Sequence, residues 1–222
     1  MARIFSINIG TPDWIRKEGA RPFRSSLLRK PVPGKIFLDY LGFEGDQVAD
    51  PVHHGGPHKA VLAYSMDHFP FWNEEMGTDL KPGCFGENLT LEGITEAAVC
   101  IGDIFEVGEA RIQCSQPRQP CHKLNKVFDR QEMACRVQKT GFTGFYCRVL
   151  QQGWVKPGDA LRRIEAGASA LSVERANQLL RGEDATLQEI QDALALQVLA
   201  EDWKKGLKKR LNRAMTKISP PS

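Results

Sequence analysis

Gln116-Pro117-Arg118-Gln119-Pro120-Cys121-His122-Lys123-Leu124 displays one thiol in a stretch stiffened by two prolines, with Arg118, His122 and Lys123 close by in sequence. Each proline holds φ near −65° and removes a backbone donor, so the stretch resists becoming helix or central strand. Cationic neighbours favour thiolate over thiol, and the thiolate is the form that attacks electrophiles or binds a soft metal. The competing explanation for Cys121 is a packing cysteine in a strand-to-helix connection.

A second patch, His53-His54-Gly55-Gly56-Pro57, combines imidazoles with glycines that let a backbone approach a ligand. Adjacent histidines point in different directions and make a poor chelate, so the pair also fits a polar surface turn. Asn88, at the end of Gly83-Cys84-Phe85-Gly86-Glu87-Asn88, is placed either to bond a ligand or to satisfy its own turn.

The 222 residues allow one sizeable core, or one core with a small appendage. The N-terminal residues alternate like a strand, and no export signal or membrane-length apolar run is present, so the expected location is the cytoplasm, with no membrane partner. Six cysteines without a C-x-x-C pair or zinc-type spacing predict reduced thiols and no zinc site. The net charge of +3 hides an asymmetry: residues 1–35 carry +6, residues 204–222 carry +7, and the segment between them −10. An anion site is expected to recruit the first segment. The basic tail lacks aromatic or glycine-rich companions and suits a solvated face better than a nucleic-acid surface.

Residues 3–9 and 35–41 pattern as strands, with a long Gly/Pro loop over 10–33 and a turn at 42–46. Residues 47–57 hold too many Gly, Pro, Asp and His for regular structure. A strand over 59–64 leads into a helix over 67–76 whose Phe69, Trp72 and Met76 share one face. Residues 101–114 form a hairpin with its turn at Gly108-Glu109, and its second arm runs into the Cys121 stretch. A helix over 124–139 and closing strands over 144–150 and 159–164 complete a mainly β barrel with helical insertions. After a linker at 166–169, Ser172 and the capping box Thr186-Leu187-Gln188-Glu189 open helices, and Leu199, Trp203, Leu207 and Leu211 mark a third. The expected organisation is a barrel domain over 1–165 and a three-helix bundle over 166–222.

Four motifs occur in order: Gly42-Phe43-x-Gly45-Asp46, His54-Gly55-Gly56-Pro57-x-Lys59-Ala60, Gly86-Glu87-Asn88-Leu89 and Pro117-Arg118-Gln119-Pro120-Cys121-x-Lys123-Leu124. Together they resemble the MOSC domain family, named after the C-terminal domain of molybdenum cofactor sulfurase. The helical tail resembles the YiiM-type subgroup, the bacterial hydroxylaminopurine resistance proteins. The resemblance implies a β-barrel that binds the molybdenum cofactor, with Cys121 as the protein thiolate on molybdenum. It also implies two-electron reduction of N-hydroxylated compounds such as 6-hydroxylaminopurine. On that footing His54 is the candidate proton donor or substrate-orienting group. Arg24, Arg29, Lys30, His53, Lys59, Asn88, Arg118, Gln119 and Lys123 are candidates for the cofactor and its phosphate. No flavin, haem or iron–sulfur motif is visible, so electrons are expected from a separate reductase. The alternative is a sulfur-carrying protein that holds a persulfide on the same cysteine.

Overall fold

The computed structural model describes residues 1–16 and 21–218. Lys17 and Glu18, counted above in the basic first segment, lie outside the described residues, as does the side chain of Lys217 in the basic tail. The first half runs β1 (Arg3–Ile9), β2 (Asp13–Ile15), β3 (Phe23–Ser25), β4 (Lys30–Pro31), β5 (Ile36–Asp39), β6 (Gly42–Phe43), α1 (Pro51–His54), β7 (Val61–Ser65), α2 (Phe69–Met76) and β8 (Leu89–Glu92). The second runs β9 (Ile104–Val107), β10 (Ala110–Pro117), α3 (Lys123–Phe128), α4 (Met133–Thr140), β11 (Phe145–Gln151), β12 (Gly153–Val155), β13 (Leu161–Glu165), α5 (Val173–Arg181), α6 (Leu187–Ala195) and α7 (Glu201–Ile218).

Eight strands form one mixed sheet in the order β13-β9-β10-β11-β7-β8-β1-β4, antiparallel except between β7 and β8. It curls as a half-barrel. Its two ends are drawn together where Ile4 N–H donates to Asp159 (2.9 Å) and Leu161 N–H donates to Ala2 (2.9 Å). Helix and strand contribute about equally, so the β character expected from the sequence is diluted by the tail and by α1 to α4. No helix among the described residues is long and apolar enough to cross a membrane.

The central hairpin follows from local chemistry. Val107 pairs with Ala110, leaving Gly108-Glu109 as a two-residue turn, and Gly108 takes φ +57°. A Cβ there would lie 2.5 Å from the Trp154 carbonyl oxygen, so glycine is needed for both angle and space. Pro117 ends β10 without breaking the sheet. β9 pairs with β10 only as far as Gln113, so at Pro117 ladder partners lie on the β11 side alone.

Three expectations change. The loop over 10–33 contains the short β2–β3 hairpin and a two-residue pairing of β4 with β1. Residues 47–57 include the single turn α1, opened by Asp50, whose side chain accepts from His53 N–H. The helix over 124–139 is broken in two, with Asp129 in a left-handed conformation (φ 54°). Asn125 holds the break by accepting from Ala134 N–H (2.8 Å) and donating to the Gln131 carbonyl. The tail follows its caps: Ser172 opens α5, Gly182 closes it, and Thr186 with Glu189 forms the box that opens α6.

Val173, Ala176, Leu179, Ile190, Ala193, Trp203 and Leu207 belong to the same hydrophobic cluster as the barrel residues Ile7, Leu89, Ile112 and Val149. The tail therefore buries its apolar face on the barrel, which is the main source of stability for helices this short. A second cluster gathers Tyr64, Phe69, Trp72, Phe85, Leu124, Met133 and Val137. Tyr64 stacks on Phe85 (4.4 Å between centroids), and Trp72 Nε1–H donates to the Tyr64 hydroxyl (2.6 Å). This aromatic cluster fixes the backbone at Phe85 and the start of α3 at Leu124.

Candidate functional site

Cys121 is held by what flanks it. Upstream, Arg118 N–H donates to the Gly144 carbonyl (3.0 Å), tying the end of β10 to the start of β11. Downstream, the Cys121 carbonyl accepts from Leu124 N–H (2.9 Å), and Leu124 is fully buried in the aromatic cluster. The thiol is half-buried, accepts from Lys123 N–H at 3.5 Å and lies 3.8 Å from His122 Nδ1.

Cys121 lines two adjoining spaces. An inner cavity of about 290 Å³ is walled by the Ser25–Arg29 segment, the Asp46–Lys59 segment and Arg118, Cys121, Lys123 and Tyr146. An outer groove of about 730 Å³ shares Asp50, His54, Lys59, Cys121, Lys123 and Tyr146, and adds Gln116, Gln119, His122 and the first turn of α7.

Arg118 is the decisive charge. Its side chain is buried, Nη2–H donates to the Phe85 carbonyl at 2.9 Å, and Nη1 has no hydrogen-bond partner. Among the described residues no carboxylate forms an ion pair with it. A buried guanidinium so under-satisfied is costly unless an anion completes it. Lys123 likewise lacks an ion pair among the described residues. Lys59 is spoken for by Asp202 (3.1 Å) and by the His53 carbonyl (2.9 Å).

His54 lines both spaces. Burial, together with the positive charges of Arg118, Lys123 and Lys59, lowers its pKa to about 4 against a partial counter-pull from Asp50. It is therefore neutral at pH 7, which suits hydrogen bonding and orientation better than proton exchange near neutrality. A group whose folded pKa lies below its unfolded value of 6.5 binds fewer protons when folded. Its contribution to stability is thus lost as pH falls from 6.5 towards 4. In a histidine-resolved NMR titration the His54 ring resonances of the ligand-free chain should stay in their neutral positions from pH 8 to pH 5.5. A midpoint near 6.5 would contradict this burial.

The other candidates separate. Arg29 lines the inner cavity, but its guanidinium is already matched to Asp46 (2.9 and 2.8 Å) and to the Gly86 carbonyl. Asn88 also reaches the wall, where it accepts from Leu62 N–H (3.0 Å) and donates to Asp46 (3.0 Å), so it supports the wall. His53 and Gln119 line only the outer groove, and His53 Nδ1 is bonded to Asp50 (2.8 Å). Arg24 and Lys30 are exposed and line neither space. The early segment thus contributes Ser25, Ser26 and Arg29 rather than a cluster of free cations.

Sequence reasoning missed Tyr146, Ser25, Ser26 and the α7 residues Asp202 and Trp203. Ser25-Ser26 beside Arg24 was the one legible signal, a hydroxyl pair in a basic loop. Tyr146 was hidden because a buried aromatic in a strand is ordinary. Burial raises its hydroxyl pKa, the Cys121 charge adds to this, and Arg118 and Arg29 oppose it. It stays a protonated donor at the cavity wall.

The fold and site define a curled mixed-sheet half-barrel whose cavity wall carries both the half-buried Cys121 and a buried Arg118 with no ion pair among the described residues. The chain matches the MOSC domain family over residues 50–162 and the YiiM-like three-α-helix domain family over residues 171–214, and it belongs to the MOSC family. It is 42% identical to the uncharacterized protein YflK of Bacillus subtilis across 96% of both chains, and 35% identical to YiiM of Escherichia coli across 84% of both. Among solved structures, YiiM of Geobacillus stearothermophilus superposes with a TM-score of 0.80 at 34% identity, covering 95% of this chain and 100% of that one. A protein of Gibberella moniliformis named reductase is 32% identical over 73% of this chain, which spans 30% of its length.

Proposed function

We propose that the chain is a cytoplasmic molybdenum-cofactor-dependent reductase of N-hydroxylated compounds, fed with electrons by a separate reductase. The observation that carries this reading is Arg118: a buried guanidinium with an unpartnered Nη1 on the same wall as the Cys121 thiol. The residues present fit a pterin-bound metal with a terminal phosphate. Arg118 and Lys123 offer charge-assisted donors, Ser25 and Ser26 offer hydroxyls nearby, and Cys121 offers a soft thiolate ligand. Among the described residues no cluster of three His, Cys, Asp or Glu side chains is placed to hold a bare metal ion, so a metal at Cys121 would have to bring further ligands with it. The match to the MOSC family and the reductase-named relative support the same assignment.

When bound, the cofactor would supply the two-electron chemistry. The overall change is R–NHOH + 2 e⁻ + 2 H⁺ → R–NH₂ + H₂O, in which the N–O bond breaks and the oxygen leaves as water. The chain's own residues bind and orient. Neutral His54 and the Tyr146 hydroxyl, both on the cavity wall, would orient the substrate oxygen by hydrogen bonds, and the two protons would come from solvent.

Protein made in a cofactor-competent host should carry molybdenum and pterin at about one per chain. It should reduce 6-hydroxylaminopurine with an artificial electron donor and fail to do so with NADH alone. Molybdenum-free protein from that host, carrying sulfane sulfur on Cys121, would replace this reading with the sulfur-carrier one.

A further inference from the structure

Arg118 is held at two points. Its guanidinium donates to the Phe85 carbonyl, and its backbone N–H donates to the Gly144 carbonyl (3.0 Å). Gly144 therefore helps to set where this side chain starts and how it is directed, and Gly144 is itself clamped from both ends. Its N–H donates to Glu96 Oε1 (2.6 Å), and its carbonyl also accepts from the Thr143 hydroxyl (2.9 Å). A left-handed φ of +73°, and an Ala63 carbonyl with which any Cβ would collide, restrict the position to glycine.

Both arms of the clamp continue away from the cavity. Glu96 Oε2 lies 2.6 Å from His68 Nε2, and the His68 ring stacks on Phe142 (3.9 Å between centroids). On the other arm Asn177 of α5 donates from Nδ2 to Thr143 Oγ1 (2.9 Å). Glu174 N–H, in the first turn of the same helix, donates to the Glu96 carbonyl (3.2 Å), so α5 touches both arms. Thr143 and Asn177 are fully buried, Glu96 and His68 nearly so, and none of the four lines either space around Cys121. Apolar side chains would fill the same volume without the cost of desolvating polar groups. What a polar chain adds is direction, because successive donors polarise one another and narrow the positions open to the carbonyl at their end. Here that carbonyl is the one that holds Arg118.

We propose that Thr143 and Asn177 are positioning residues for the anion site: through Gly144 they set where Arg118 presents Nη1, so that the tail helix α5 tunes ligand retention in the inner cavity without touching the ligand. This rests on the reading of Arg118 as the charge that receives the cofactor's phosphate.

The test compares variants of the full-length chain by molybdopterin content after purification and by calorimetric titration of the cofactor-free chain with inorganic phosphate. Thr143→Val, equal in shape but without the hydroxyl, should lower molybdopterin content and weaken phosphate binding about fivefold to tenfold. Thr143→Ser keeps the hydroxyl and should restore both. Asn177→Ala should weaken phosphate binding about threefold or more, and it carries the comparison if Thr143→Val fails to fold. Val173→Ala trims a fully buried α5 side chain that takes no part in the clamp. It should lower the unfolding midpoint yet leave phosphate affinity within about twofold of wild type. Wild-type affinity in Thr143→Val, or an equal loss in Val173→Ala, would reduce the network to packing and overturn the proposal. Wild-type protein with neither molybdopterin nor phosphate affinity would overturn the reading of Arg118 instead. The link is then judged by NMR: the Arg118 backbone amide resonance should shift in Thr143→Val and Asn177→Ala and stay in place in Val173→Ala. A resonance unmoved in the first two would overturn it.

Discussion

Cys121→Ser should fold as the wild type does, lose molybdenum, and reduce N-hydroxylated substrate on the order of 10³-fold more slowly, about 4 kcal/mol of barrier. The sulfur itself contributes little to holding the loop. Its contacts are a 3.5 Å approach from Lys123 N–H and a 3.8 Å approach to His122, both at the weak end of the range. The loop is held instead by backbone bonds from Arg118 to Gly144 and from Leu124 to Cys121, which serine leaves intact. Unfolding free energy should therefore change by less than about 0.5 kcal/mol. A serine hydroxyl is a hard, weakly acidic ligand and a poor replacement for a thiolate on a soft centre. The separation between unchanged stability and lost metal is the signature. A serine variant that keeps about one molybdenum per chain and a rate within tenfold of wild type would rule out metal ligation at residue 121.

Arg118→Met should show the reverse pattern to an ordinary buried-residue change, with a small effect on the empty protein and a large one on cofactor retention. In this fold the arginine keeps one bond to Phe85 and leaves Nη1 unmatched, so an apolar side chain of similar length removes a desolvated charge along with that bond. Arg118 also pulls down the carboxyl of buried Glu87, which burial holds above its usual range, and losing that support offsets part of the gain. The net change in stability should stay within about 2 kcal/mol. With a phosphate present, the loss is one charge-assisted pair in a partly enclosed site, about 2–3 kcal/mol, or roughly 30- to 150-fold in affinity. Molybdopterin content after purification measures it directly. Arg118→Lys should recover only part of the binding, because an ammonium on a flexible stem does not reproduce a planar fork. Full cofactor content in Arg118→Met would show that the anion is held elsewhere on the wall.

Local features with local causes were legible in the chain. The Gly108-Glu109 turn, the Ser172 and Thr186 caps, the Gly182 stop and the buried Phe69–Trp72 face all depend on residues a few positions apart. Cys121 could also be singled out as a candidate, because two prolines and three neighbouring cations or imidazoles are visible without a fold. The split of the 124–139 helix was half-visible: no apolar residue of the face falls between Phe128 and Met133, but Asn125 bridging to Gln131 and Ala134 depends on a geometry that periodicity does not report.

What sequence alone could not rank was the basic residues. Arg24, Arg29, Lys30, Lys59, Arg118 and Lys123 carry the same charge on paper, and only the tertiary structure assigns Arg29 to Asp46 and Lys59 to Asp202, exposes Arg24 and Lys30, and leaves Arg118 buried with an unmatched nitrogen. The physical reason is that charge is a property of a residue, whereas an unsatisfied charge is a property of a neighbourhood assembled from distant segments. The same holds for Arg118 and Asn177, 59 positions apart in the chain, which are linked because Gly144 and Thr143 lie between them.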